Sequence, residues 1–183
     1  WDIEGYNTPL HFVCHLGYVD ICAMLIRCGA SVEARNAQGR AVLHLAARSG
    51  NTVMVKTLLD CAADPYVVDH DGRTALHAAA EMARVDASRL LLMSNPALCS
   101  LLSVYYETPL HSLLISVAKG LVSKGAESTV IAAAELLLEF GVDDRQICFT
   151  EKGLKLKTLG LCRALSLTAT AQAIVRLRRL LLP

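Results

Sequence analysis

Asp71-Gly72-Arg73-Thr74-Ala75-Leu76-His77-Ala78-Ala79-Ala80 is one copy of a unit that recurs along the chain. The same slot reads Thr8-Pro9-Leu10-His11, then Ala41-Val42-Leu43-His44, then Thr108-Pro109-Leu110-His111. The histidines stand at 11, 44, 77 and 111, so the steps are 33, 33 and 34 residues. A fixed period of this length predicts a stack of near-identical units, each hiding its apolar side against the next.

Within each unit the punctuation marks two helices. Thr8 offers a hydroxyl cap and Pro9 suits the first helical position, where a missing N–H costs nothing. This predicts a helix over 9–16, broken by Gly17, and a second over 19–27, ended by Cys28-Gly29-Ala30. In the second unit Asn36-Ala37-Gln38-Gly39-Arg40 is a turn signal, followed by helices over 42–48 and 52–60. There Ala41-Val42 replaces Thr-Pro and loses the hydroxyl cap, at about 1 kcal/mol. The third unit has a second helix around 85–93, and Ser94-Asn95-Pro96 must end it and distort the loop at 94–100. In the first unit His11 to Gly29 is 18 residues, whereas His111 to Gly141 in the fourth is 30, so about 12 residues are inserted, near 119–128. A helix over 130–139 follows. The repeat then stops, and two further helices are expected, over 154–165 and 168–182.

A T-P-L-H-x-A core at this period resembles the ankyrin repeat. The resemblance implies an all-α solenoid over residues 1–148, with units at about 3–34, 35–67, 68–101 and 102–143, and a small helical element at 149–183. Tyr6 stands where the family usually has glycine. In ankyrin stacks the variable residues of hairpin and first helix line a concave surface that binds a protein. Carried over slot by slot, these are Ala37, Gln38, Arg40, Arg48, Ser49, His70, Asp71, Arg73, Glu81, Met82, Val104, Tyr105 and Glu107. Tyr105, Met82 and the arginines suit a protein partner. Terminal repeats normally carry a polar outer face, but the first unit reads as internal and the chain opens without methionine. Further repeats are therefore expected ahead of Trp1.

The tail carries a second resemblance. Thr158-Leu159-Gly160-Leu161-Cys162-Arg163, with Leu180-Leu181-Leu182-Pro183 behind it, is similar to a SOCS box. That family's Leu-x-x-x-Cys helix docks on elongin C of the elongin B/C pair, and a later Leu-Pro stretch meets a cullin. The resemblance implies elongin docking by Leu159 and Cys162 and a role as substrate receptor of a ubiquitin ligase. The spacing from Leu159 to Cys162 is three residues where the motif has four, although both still share one broad helix face. The alternative is a plain scaffold or inhibitor whose tail helices only cap the stack.

The remaining chemistry is sparse. Hydrophobic residues are 54% of the 183, which excludes disorder, and aromatics are 5%, so the core is aliphatic. A net charge of +1 offers no field for nucleic acid or an anionic membrane, and no apolar run reaches the ~18 residues a membrane span needs. The seven cysteines include no Cys-x-x-Cys pair and lie largely among apolar neighbours, which points to a reducing compartment, cytoplasm or nucleus. Histidines about 10 Å apart in successive units cannot share a zinc ion. They are expected to bridge neighbouring backbone instead. No glycine-rich phosphate loop and no catalytic constellation are legible, so neither enzyme activity nor a cofactor is expected.

Overall fold

In the computed structural model, residues 7–122, 127–141, 147–149 and 155–157 are described. The first helices of successive units are α1 (Pro9–Leu16), α3 (Val42–Ser49), α5 (Ala75–Glu81) and α7 (Pro109–Ala118). The second helices are α2 (Val19–Arg27), α4 (Thr52–Asp60), α6 (Val85–Ser94) and α8 (Glu127–Glu139). In one layer α3 packs on α1, α5 on α3 and α7 on α5; in the other α4 packs on α2, α6 on α4 and α8 on α6. This is the helical solenoid that the period demands. Leu10, Leu43, Leu76 and Leu110 are all buried in one apolar interior that runs through the stack. Each such leucine contributes about 1.5–3 kcal/mol by leaving water. Ala46, Ala47, Ala79 and Ala80 are fully buried beside them, and their small side chains let neighbouring first helices approach closely.

The histidine slot explains why the first helices begin where they do. Thr8, Thr74 and Thr108 each precede a helix, and each backbone N–H donates to Nδ1 of the histidine three residues on, at 3.2, 3.2 and 3.3 Å. The threonine hydroxyls lie 2.8, 3.0 and 2.8 Å from the same nitrogens. Histidine thus takes the place that glutamate or glutamine holds in a capping box. The second unit lacks this device. Ala41 has no hydroxyl, and Nδ1 of buried His44 makes no hydrogen bond.

Where the units lose their regularity, the chain absorbs it locally. Asn95 accepts from Ala97 N–H at 3.1 Å and opens a 3-10 turn over Pro96–Ser100, in the stretch where proline stops α6. In the fourth unit part of the extra length extends the helices. α7 has 10 residues and α8 has 13, against 8 and 9 for α1 and α2. α8 begins at Glu127, three residues before the expected Val130, so the inserted stretch near 119–128 partly joins the helix. Residues 123–126 lie outside the described residues.

One expectation is corrected. The helix expected over 154–165 gives way at Lys155–Lys157 to a strand, β2, antiparallel to β1 (Ile147–Phe149), with Cys148 opposite Leu156. Lys-Leu-Lys alternates with the two-residue period of a strand, and Ile-Cys-Phe carries β-branched and aromatic residues. Tyr6, Leu159, Cys162, the rest of 154–165 and the helix expected over 168–182 lie outside the described residues.

Ala41 is buried in a slot that holds an equally buried threonine at 74 and 108. Ala41→Thr therefore supplies His44 Nδ1 with a hydroxyl at little steric cost. It is expected to stabilise the fold by about 1 kcal/mol. Urea unfolding of the two proteins at neutral pH checks this; an unchanged or lower midpoint refutes the capping account.

Candidate functional site

The surface expected to bind is built on three hairpins, each organised by one side-chain oxygen. Asn36 Oδ1 accepts from Gln38 and Arg40 N–H, both at 3.0 Å. Asp69 Oδ1 accepts from Asp71 and Arg73 N–H at 3.0 and 2.9 Å. Ser103 Oγ accepts from Tyr105 and Glu107 N–H, both at 3.2 Å. Backbone bonds from Asn36 to Arg40, Asp69 to Arg73 and Ser103 to Glu107 close the same loops, at 3.1, 2.9 and 3.0 Å. Neighbouring hairpins are then joined, His70 N–H to Gln38 O at 3.0 Å and Val104 N–H to Asp71 O at 2.9 Å. The turn needs a left-handed residue, which Gly39 (φ 74) and Gly72 (φ 73) supply readily. Tyr106 takes the same slot at φ 60, a conformation that costs a side-chain-bearing residue on the order of 1 kcal/mol.

The histidines tie this face to the helices behind it. Nε2 of His11, His44 and His77 lies 3.0, 2.9 and 3.0 Å from the carbonyl oxygens of Arg40, Arg73 and Glu107 in the following unit. A carbonyl only accepts, so Nε2 carries the hydrogen, and in His11 and His77 the neutral ring keeps Nδ1 free to accept from the threonine N–H. Burial pushes all three below the ordinary histidine value, with the bond to the carbonyl opposing. His77, the deepest, falls to about 4.

Charged side chains pair across the same face, between units except for Arg73 with Asp71. Arg48 Nη1 meets Glu81 Oε2 at 2.9 Å, Arg40 Nε meets Asp69 Oδ2 at 3.5 Å, and Arg73 Nη2 lies 3.9 Å from Glu107 Oε2 and 4.0 Å from Asp71 Oδ2. Such partly exposed pairs are each worth about 0–1 kcal/mol, so they order the surface more than they hold the stack. Of the residues expected to bind, Ala37, Gln38, Ser49, His70, Val104 and Tyr105 are exposed. Arg40, Arg48, Asp71, Arg73, Glu81 and Met82 are half-buried. Ser49 turns its hydroxyl back to Ala46 O at 2.9 Å. Glu107 is only 7% exposed, and its carbonyl is the acceptor for His77.

Sequence reasoning missed a small cleft between the third and fourth units. It has a volume of about 50 Å³ and is lined by Arg73, Glu81 and Glu107 together with Ser112, Ser116 and Lys119. Ser112 Oγ and Arg73 Nε are buried there without a hydrogen-bond partner. The sequence marked Asn36 only as part of a turn signal and gave no role to Asp69 and Ser103, although the steps of 33 and 34 between these residues repeat those of the histidines.

Other chemistry finds little footing. Among the described residues, no group of three or more His, Cys, Asp or Glu is placed to hold a metal ion. Cys14 and Cys22 are buried free thiols with sulfurs 3.6 Å apart. Burial pushes Cys14, Cys22 and Cys99 upward, the opposite of what a nucleophilic thiolate needs. No helix among the described residues is long and apolar enough to cross a membrane.

Residues 2–69 match the family model for ankyrin repeats in three copies, and residues 71–101 match that for a single ankyrin repeat. The chain belongs to the ankyrin-repeat family. Members of this family are protein-interaction modules, and the helix pairs, hairpins and histidine bridges above are its repeats in this chain. Relatives include a Caenorhabditis elegans protein, the transient receptor potential cation channel subfamily A member 1 homolog, 33% identical over 66% of this chain. Two plant proteins are also similar. The probable E3 ubiquitin-protein ligase XBOS33 of Oryza sativa subsp. japonica is 42% identical over 28% of the chain, and E3 ubiquitin-protein ligase XBAT33 of Arabidopsis thaliana 40% over 29%. The chain spans about 10% of the length of each of these relatives.

The histidine bridges carry a pH signature. His77 has a folded value of about 4 against an ordinary 6.5, so the unfolded chain binds the proton more tightly. The stabilisation is complete above pH 6.5 and is lost as pH falls from there towards 4, on the order of 3 kcal/mol for His77. His11 and His44 act in the same direction. Urea midpoints measured between pH 7 and 4.5 should fall steadily, and less steeply in His77→Gln. A flat profile for the wild-type chain refutes the neutral, doubly bonded imidazole.

Proposed function

We propose that the chain is a non-enzymatic module that holds a protein target along the hairpin tips and first helices. The observation that carries this reading is the division of labour in the hairpins. Their backbone hydrogen bonds are made internally and to the next hairpin, while Gln38, His70, Val104 and Tyr105 stand exposed at the tips. A rigid backbone with outward side chains can bind without first being ordered. Val104 at 58% and Tyr105 at 48% exposure offer an apolar anchor beside the charged pairs of Arg48, Glu81 and Arg73. The net charge of +1 favours a protein over nucleic acid. The free thiols fit a reducing compartment, cytoplasm or nucleus.

In its finer form the reading makes the chain the target-holding subunit of an elongin/cullin-RING ubiquitin ligase. The ligase names of the two plant relatives support this, as do Leu159 and Cys162 in their SOCS-box-like setting. A second reading, a scaffold or inhibitor whose tail only caps the stack, draws on the channel relative. That match covers 66% of the chain against 28% and 29% for the ligases, so similarity tracks the repeats rather than one activity.

Two measurements on the 183-residue chain separate these readings. Elongin B/C should be retained by the chain and lost from Leu159→Ala/Cys162→Ala; absence of retention by the wild-type chain leaves the scaffold reading. Tyr105→Ala with Val104→Asp should weaken capture of crosslinked cellular protein targets by roughly tenfold with no loss of thermal stability. Unchanged capture moves the binding surface elsewhere.

A further inference from the structure

The cleft between the third and fourth units holds polar groups that the fold leaves unused. Ser112 is 5% exposed, and its Oγ has no hydrogen-bond partner. Its slot, directly after the repeat histidine, holds Phe12, Leu45 and Ala78 in the other units, so stacking asks for no hydroxyl there. Arg73 Nε is likewise buried and unbonded, and Arg73 Nη2 lies 3.9 Å from Glu107 Oε2, beyond hydrogen-bond reach. Ser116, one turn further along α7, is buried too. A buried polar group left unbonded weakens a fold, and a ligand that bonds it recovers the loss.

The charges around the cleft decide what fits. Glu81 and Glu107 oppose a carboxylate or a phosphate, and Arg73 and Lys119 oppose a cation. What remains is a neutral group that both accepts and donates. A water needs about 10–15 Å³ of such space, so the cleft takes a head of a few heavy atoms and not an aromatic ring. Ile115 and Leu121 complete the lining with apolar surface that suits a short methylene stem.

We propose that this cleft takes the carboxamide head of a glutamine or asparagine side chain of the protein target. Its carbonyl oxygen accepts from Arg73 Nε–H and Ser112 Oγ–H, and its N–H groups donate to the carboxylates of Glu81 and Glu107. The inference rests on the reading of the hairpins and first helices as the protein-binding face, to which Arg73, Glu81 and Glu107 belong. It adds the side-chain chemistry that this face selects.

The test titrates the 183-residue chain with N-acetylglutamine N-methylamide and follows Arg73 Nε–H and the Ser112 and Ser116 amides by NMR. The glutamate and methionine analogues are the controls, because they keep the capped backbone and change the head. A saturable shift is expected with the glutamine probe, and affinity about tenfold weaker for both controls and for the glutamine probe on Ser112→Ala. Ser112→Ala should keep or raise the thermal midpoint, since the hydroxyl it removes is unbonded, so a lost shift is not lost folding. Equal shifts with all three probes overturn the proposal, because the backbone caps then do the binding. A stronger response to glutamate overturns it as well, and so does no response to any probe, which leaves the cleft to water. In each of these cases a loss of target capture by Tyr105→Ala with Val104→Asp still upholds the face, and its absence removes the face along with the cleft.

Discussion

The bond from an imidazole Nε2–H to a backbone carbonyl of the next unit converts a period in sequence into a period in space. His11, His44 and His77 reach carbonyls 29, 29 and 30 residues onward, and the rings of His11 and His77 are also held from behind by the threonine at their own helix start. This seam sorts which irregularities the chain can carry. The extra residue between His77 and Glu107 lies in a unit whose α6 runs to 10 residues and is followed by the 3-10 turn at Pro96–Ser100, so the seam is still reached. The longer insertion of the fourth unit follows His111, past the last seam described, where length can change without moving the hairpins.

Most of the fold was legible because its signals are local. Proline after threonine and glycine after the apolar run placed α1, and the same signs placed the start of α7. The chemistry of the hairpins was harder to read. Asn36, Asp69 and Ser103 do one job with three different side chains, because all that is required is an oxygen able to accept two N–H bonds. The strand at Lys155–Lys157 was read as helix because Leu-rich sequence nearby suits both, and only the local alternation favours pairing. For the face proposed to bind, exposure at the tips followed from hairpin position, whereas the burial of Glu107 did not. Its slot is filled elsewhere by Arg40 and Arg73, and the repeat pattern constrains its carbonyl rather than its side chain. The cleft formed with Ser112, Ser116 and Lys119 depends on how α7 meets the third unit, which no single segment reveals.

The result is a surface whose chemistry is separable from its support. Stability rests on leucine, alanine and the histidine seam, all behind the face. The tips proposed to recognise a partner contribute little to the core. That separation fits similarity to relatives as different as a channel homolog and ubiquitin ligases, each matching a part of this chain within a much longer one.

The described hydrogen bonds that cross between units join immediate neighbours, whether through imidazole, hairpin amide or guanidinium. A pulling force along the solenoid axis is therefore borne in series, each link feeling the full load and yielding on its own. Across that axis the paired helices share the load in parallel. Such an object behaves as an anisotropic spring, compliant lengthwise and stiff in cross-section, and can adjust its curvature to the contour of whatever lies against it.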